Sequence, residues 1–140
     1  MFKALLDTNI LVDMAFRGRP DHEAAREVFR RAEQGQLSLA CGADSLAVFA
    51  YSAGRHYATR EQVQSVLRGL VELLEVVPLD ARLISSALDL DEPDLDDQIV
   101  HASFLACGAD VLVSRDAEAF EGLAKVAAPR LLGMLGACER

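Results

Sequence analysis

The sequence predicts an α/β fold, a three-layer α/β/α sandwich around a central parallel sheet of about five strands. Short apolar runs alternate along the chain with longer amphipathic segments. The 140 residues match the size of one domain, and no internal repeat or linker-like stretch divides them. Hydrophobic residues make up 51% and charged residues 26%, which is typical of a globular protein.

Five apolar runs have the length of strands, and most end in a turn, a polar residue or a proline. They are Phe2–Leu6, Leu37–Cys41, Leu73–Val77, Val111–Ser114 and Lys125–Ala128. The last run has the poorest strand composition, because alanine disfavours strands.

Five amphipathic segments predict helices between the strands. They are Asp21–Gly35, Ser45–Tyr57, Thr59–Leu73, Asp80–Leu90 and Asp94–Ala106. In the first helix the apolar residues share one face and Gly35 ends it. Thr59 and Gln62 have the spacing of a capping box. Strands that alternate with helices imply βαβ units and a parallel sheet covered on both faces.

Three aspartates occupy positions where such a sheet gathers functional groups, beyond the carboxyl ends of its strands. Asp7 closes the first strand, Asp97 lies in the first turn of the helix before the fourth strand, and Asp116 follows that strand. Converging carboxylates repel by up to about 4 kcal/mol per pair at an effective dielectric near 20, so they need protons or a cation. Mg²⁺ suits them and can activate a water for attack at phosphorus.

Each aspartate also has an ordinary structural interpretation. Asp7 is compatible with a helix N-cap or turn residue. Asp97 belongs to the acidic stretch "DEPDLDD", which is compatible with a solvated loop. Asp116 is compatible with a cap for a helix over "AEAFEGL". The three together favour a metal site.

The charge balance limits the classes of partner. Net charge is −8, so the surface offers no broad electrostatic footprint for nucleic acid, and such a role needs a local site. The cysteines Cys41, Cys107 and Cys138 lack CxxC spacing, which predicts reduced thiols and a cytoplasmic protein. The run before Asp7 is too short for a signal peptide, and no apolar stretch is long enough to span a membrane.

Two motifs give the chain a family resemblance. They are "LLDTNILVD" at 5–13 and "DLDDQIVHASFLACGADVLVSRD" at 94–116, with "AF" at 119–120. The sequence resembles the PIN-domain nucleases, and among them the VapC-type toxins of bacterial toxin–antitoxin pairs. The resemblance covers nearly the whole chain and implies a single PIN-like domain over residues 1–140.

The resemblance implies metal-dependent cleavage of RNA by acids around Mg²⁺ or Mn²⁺. By position, Asp7, Asp97 and Asp116 match the metal-binding catalytic acids, and Asn9 and Ser114 match polar residues that orient them or a metal-bound water. The implied partners are an RNA substrate, an antitoxin protein and a second copy of the chain in a homodimer.

One departure from the family pattern concerns the helix after the second strand. The family usually has a glutamate there, and the matching position holds Val48. Asp44 lies one turn earlier and is either a partial substitute or a helix cap, of which the cap is favoured. Arg115 is a candidate for phosphate contact because it adjoins Asp116. His101 is interpreted as a packed histidine that can pair with Asp97.

Three functions therefore compete. The first is a metal-dependent endoribonuclease, toxin-like. The second is a catalytically weakened PIN-like domain that binds RNA or protein without cleavage, which the valine at 48 and the acidic surface favour. The third is a phosphatase or receiver domain with Asp7 as phosphate acceptor. Position 9 is Asn and Lys125 lies nine residues after Asp116, which disfavours the third.

Overall fold

The computed structural model of the chain describes residues 1–56 and 58–138, without the side chains of residues 137 and 138. Its centre is a five-stranded sheet in which all neighbouring strands are parallel, in the order β3-β2-β1-β4-β5. The strands are β1 Lys3–Leu6, β2 Ser38–Gly42, β3 Glu75–Val77, β4 Val111–Val113 and β5 Lys125–Val126. This architecture confirms the predicted fold class and the five strands.

Seven helices of the described residues surround the sheet. They are α1 Thr8–Ala15, α2 His22–Glu33, α3 Ala43–His56, α4 Arg60–Leu73, α5 Ala81–Ala87, α6 Leu95–Cys107 and α7 Ala128–Cys138. The five predicted helices correspond to α2–α6, although Tyr57, the predicted end of one, lies outside the described residues. The Thr59–Gln62 capping box is confirmed.

Helices α1 and α7 were not among the predicted helices. In α1 the residues Ile10, Leu11 and Val12 are consecutive and all buried, so the sequence shows no amphipathic period there. The end of the predicted fifth strand is wrong by two residues. Strand β5 ends at Val126, and Ala128 already begins α7.

The sheet separates two hydrophobic cores. Ala4 and Leu6 of β1 face one core, which includes buried residues of α1, α2, α3, α4 and α7. Leu5, which points to the opposite face, belongs to the other core with residues of α5 and α6. Burial of each leucine stabilises the fold by roughly 1.5–3 kcal/mol. Both faces are thus covered, as predicted for a parallel sheet.

The strand order places a topological switch point beside β1. The chain proceeds from β1 through β2 to β3 on one side of the sheet, and β4 and β5 lie on the other side. In sheets of this kind, ligands bind at the carboxyl ends of the strands where the order reverses. This crevice lies between the ends of β1 and β4, where Leu6 pairs with Val113.

Two further expectations concern the cysteines and the membrane. Cys41 and Cys107 are free thiols, and the side chain of Cys138 lies outside the described part of the chain. No helix of the described residues is long and apolar enough to cross a membrane.

Candidate active site

Asp7 lies at the switch point, directly after β1, and begins α1 as its N-cap. Its Oδ1 atom accepts a hydrogen bond from the Thr8 backbone N–H (2.8 Å). The cap interpretation of Asp7 is therefore correct, and it uses one carboxylate oxygen. Burial raises the pKa of Asp7 above its usual value, and the nearby Asp116 acts in the same direction.

The second oxygen of Asp7 is held by two side chains that the sequence singled out. Ser114 Oγ donates to Asp7 Oδ2 (2.8 Å), and Asn9 Nδ2 lies 3.4 Å from the same oxygen. This leaves Asn9 Oδ1 buried without a hydrogen-bond partner in the described structure. An unpaired buried oxygen at this position can accept a hydrogen bond from a water bound nearby.

Asp116 begins the turn after β4 and is positioned mainly by backbone groups. Its Oδ1 accepts from the N–H groups of Glu118 (2.8 Å) and Ala119 (3.0 Å), and these bonds lower its pKa. Residues 117–123 form bends and turns, so the interpretation of Asp116 as the cap of a helix here is wrong. Its own N–H donates to Ser114 Oγ (3.0 Å), which links Asp116 to Asp7 through one hydroxyl.

Asp97 approaches the same place from α6. Asp94 caps that helix by accepting from the Asp97 N–H (2.9 Å). Burial raises the pKa of Asp97 to about 6, and the charges of Asp94, Asp116 and Asp7 act in the same direction. Asp7, Asp97 and Asp116, which are far apart in sequence, are thus close enough to repel one another at one edge of the sheet.

Asp44 belongs to the same electrostatic environment. Burial raises its pKa, the charges of Asp96 and Asp7 add to this, and the N–H groups of Asp44 and Ser45 oppose it. The Asp44 carboxylate therefore accepts hydrogen bonds from N–H groups at the start of α3 and also lies within electrostatic range of Asp7. Val48, one turn later, is 53% exposed.

These residues fit a hydrated divalent cation. Asp7, Asp97 and Asp116 repel one another, which favours a bound cation. Asp44 adds its repulsion with Asp7, and the unpaired Asn9 oxygen can accept from the water shell of the cation. No three Asp, Glu, His or Cys side chains within residues 1–56 and 58–138 are placed to ligate one ion together. The fit is therefore to an ion such as Mg²⁺ that takes one or two carboxylates directly and keeps several waters.

Arg115, a candidate for phosphate contact, is engaged with a residue that the sequence reasoning missed. Its Nε and Nη2 atoms donate to the two oxygens of Asp13 (2.5 and 3.0 Å). Asp13 is completely buried in the last turn of α1. Its only sequence signal was its place at the end of the motif "LLDTNILVD". The phosphate role of Arg115 stays a prediction, with one side of its guanidinium bound to Asp13.

Glu92 is a second residue that the sequence reasoning missed. Its side chain is only 4% exposed, and its oxygens contact His101 Nδ1 (2.8 Å) and accept from the Phe120 N–H (2.8 Å). His101 is thus a hydrogen-bonded histidine, as expected, and its partner is Glu92, where the sequence offered Asp97. Phe120 is fully buried and has a left-handed backbone (φ 67°), a costly conformation for a bulky residue. Glu92 therefore anchors the turn that follows Asp116.

Lys125 also stabilises the turn that follows Asp116. Its Nζ donates to the carbonyl oxygens of Asp116 (2.7 Å) and Ala119 (2.6 Å). Lys125 lies nine residues after Asp116 in the sequence, so the sequence alone did not predict this contact. The two residues are close because β5 pairs with β4. The lysine charge also contributes to the low pKa of Asp116.

Comparisons with known proteins agree with the fold. A family model described as PIN domain matches residues 3–118. Among solved structures, Mycobacterium tuberculosis VapC20, a Sarcin-Ricin loop cleaving toxin, has a TM-score of 0.65 at 16% identity, over 81% of this chain and 90% of that chain. DNA-bound VapBC from Salmonella typhimurium has a TM-score of 0.65 at 22% identity, over 91% and 99%. FitAB bound to a DNA fragment has 0.64 at 15%, over 89% and 94%. A search of curated protein sequences found no match.

Proposed function

The chain belongs to the PIN domain family, and from that premise we propose that it is a metal-dependent endoribonuclease of the toxin type. The observation that supports this most is the acid edge, defined here as Asp7, Asp97 and Asp116. These acids lie at the topological switch point of the sheet and repel one another in the absence of a cation.

The proposed cation is Mg²⁺ or Mn²⁺. One or two of Asp7, Asp97 and Asp116 would bind it directly, and the remaining acid would bind it through its water shell. When bound, it supplies an activated water and neutralises charge that develops on the phosphodiester. The protein supplies orientation. Ser114 and Asn9 fix the Asp7 carboxylate, and the backbone N–H groups after Asp116 fix that carboxylate.

Asn9 has a further part in this mechanism. Its amide nitrogen is directed to Asp7, so its oxygen is left to accept a hydrogen bond from water. The reverse orientation would place the amide oxygen against the carboxylate and is disfavoured by repulsion. The side chain that orients Asp7 would therefore also orient a water beside it.

One observation favours a second function, binding of RNA or protein without cleavage. The position of the family's usual glutamate holds Val48, an exposed apolar residue. Loss of one acid weakens the attraction for a cation. Asp44, which is within electrostatic range of Asp7, is our candidate for the missing charge.

The partners follow from the same family. Two of the similar structures are a VapBC complex and a FitAB complex, each bound to DNA. We propose that this chain likewise binds an antitoxin protein, with RNA as its substrate. A homodimer and a cytoplasmic location stay predictions.

The test is cleavage of a structured RNA with Mn²⁺ by the wild type, Asp7→Asn and Asp110→Asn. Asp110 is an exposed aspartate at the opposite edge of the sheet, where it accepts from the Lys3 N–H (2.8 Å). We expect cleavage by the wild type and Asp110→Asn and none by Asp7→Asn. Metal-dependent cleavage that persists in Asp7→Asn would contradict the assignment, and a wild type that binds RNA without cleaving it would support the second function.

A further inference from the structure

Helix α1 is attached at both ends to the segment that carries Asp116. At the start of the helix, the N-cap residue Asp7 accepts a hydrogen bond from Ser114 Oγ (2.8 Å). In its last turn, Asp13 accepts two hydrogen bonds from Arg115. The two aspartates are six residues apart on a rigid helix, so the attachment points lie about 9 Å apart along its axis. One attachment would leave a hinge, whereas two fix the direction of the segment.

The attachment through Asp13 is built as a buried ion pair. Asp13 is completely buried, while the Arg115 side chain is 26% exposed. Both carboxylate oxygens are engaged in a bidentate contact, and Arg19 Nε lies 3.4 Å from one of them. A planar guanidinium in this arrangement transmits orientation as well as charge. The pair therefore restricts the backbone of Arg115, whose neighbours in the chain are Ser114 and Asp116.

We propose that Asp13 is a positioning residue of the active site, which acts through Arg115. By holding Arg115 it keeps Ser114 against Asp7 and directs the Asp116 carboxylate to the acid edge. Asp13 itself does not touch the metal or the substrate. The inference deepens the proposed function and rests on it for its catalytic meaning, but the positioning itself is a structural property that is measurable alone.

A purely structural role for Asp13 predicts a different result. Loss of an ordinary buried ion pair lowers the fraction of folded protein and leaves the folded molecules with normal metal affinity. Loss of a positioning residue changes the acid edge in molecules that are folded. Partners of this kind behind a metal site typically change metal affinity or activity by about 10–100-fold. Metal affinity and local order of the folded protein therefore separate the two roles.

The experiment compares Asp13→Asn and Arg115→Lys with the control Glu27→Gln. Asn keeps the shape of Asp13 and removes its charge, and Lys keeps the charge of Arg115 and removes its bidentate geometry. The control breaks an arginine–carboxylate pair of α2 that is more exposed, Glu27 with Arg31 (3.0 Å), and so reports the effect of losing an ion pair that does not contact Ser114 or Asp116. Each folded variant is titrated with Mn²⁺. Amide hydrogen exchange is measured at Glu118 and Ala119, whose N–H groups bond to Asp116.

We expect both test variants to bind Mn²⁺ about tenfold or more weakly than the wild type. We also expect the Glu118 and Ala119 amides to exchange faster, relative to amides of β1, with the control unchanged. Wild-type affinity and wild-type exchange in folded Asp13→Asn and Arg115→Lys would overturn the proposal. If Asp13→Asn does not fold, Arg115→Lys decides alone. A wild type that binds no Mn²⁺ would refute the proposed function, and the exchange measurement would still decide the positioning role.

Discussion

Because the acids of the acid edge repel one another, we expect the charged Asp97 side chain to destabilise the metal-free protein. Burial and the charges of three other aspartates raise the pKa of Asp97 to about 6, from an ordinary value of 3.8. The folded state thus binds the Asp97 proton more tightly than the unfolded state does. The stability gained from this tighter proton binding is full below about pH 4 and is lost as the pH rises through about 6. Asparagine is neutral at every pH of the experiment, so Asp97→Asn does not lose this stability as the pH rises.

The size of the effect follows from the pKa shift. A pKa raised from 3.8 to about 6 corresponds to about 3 kcal/mol. Asp97 is partly exposed, and solvent screening reduces this to about 1 kcal/mol. Metal-free Asp97→Asn should therefore exceed the wild type in unfolding free energy by about 1 kcal/mol near pH 8, and by nothing near pH 4.

The assay is urea unfolding of both proteins with a chelator across this pH range, then with saturating Mn²⁺ at the higher pH. A ligand that binds the folded state stabilises it, so Mn²⁺ should stabilise the wild type more than the variant and reverse their order. A metal-free Asp97→Asn that is no more stable than the wild type near pH 8 would refute the electrostatic reasoning.

Three further predictions concern single residues. A Cβ atom at position 42 would overlap Asp44 Oδ1, so Gly42→Ala should turn that carboxylate away and weaken Mn²⁺ binding in calorimetry; unchanged affinity would exclude Asp44 as the substitute for the missing glutamate. Burial raises the pKa of Cys41 to about 12, so its thiol should resist iodoacetamide in the native protein and react after unfolding, as peptide mapping would show. Glu92→Gln should lower the urea-unfolding free energy by about 1–3 kcal/mol, because the buried acceptor for Phe120 is replaced by a group that also donates; unchanged stability would exclude an anchoring role for Glu92.

The parts of the site that the sequence could predict are those fixed by strand ends. Asp7 and Asp116 follow apolar runs that are unmistakable strands, and a parallel sheet brings the carboxyl ends of its strands together. Asp97 could be placed because it lies in the first turn of α6, the helix before β4. Local patterns and topology suffice for these three positions. Ser114 and Asn9 were assigned only through the family resemblance.

The contacts that could not be predicted join distant positions without a local pattern. Arg115 and Asp13 are 102 residues apart, and Asp13 has the sequence character of an ordinary helical acid. Glu92 belongs to an acidic stretch that is typical of a solvated loop, yet it is buried against Phe120, 28 residues away. Only tertiary contacts make these acids internal. Asp13 contacts Arg115, which follows β4, and Glu92 contacts His101 of α6 and Phe120.

The central claim is that Asp7 and its neighbours bind a divalent cation. The most direct measurement is a calorimetric titration of Mn²⁺ into the wild type, Asp7→Asn and Asp110→Asn at neutral pH. We predict binding by the wild type and Asp110→Asn, and its loss in Asp7→Asn. An absence of binding by the wild type at millimolar metal, or equal binding by Asp7→Asn, would contradict the account.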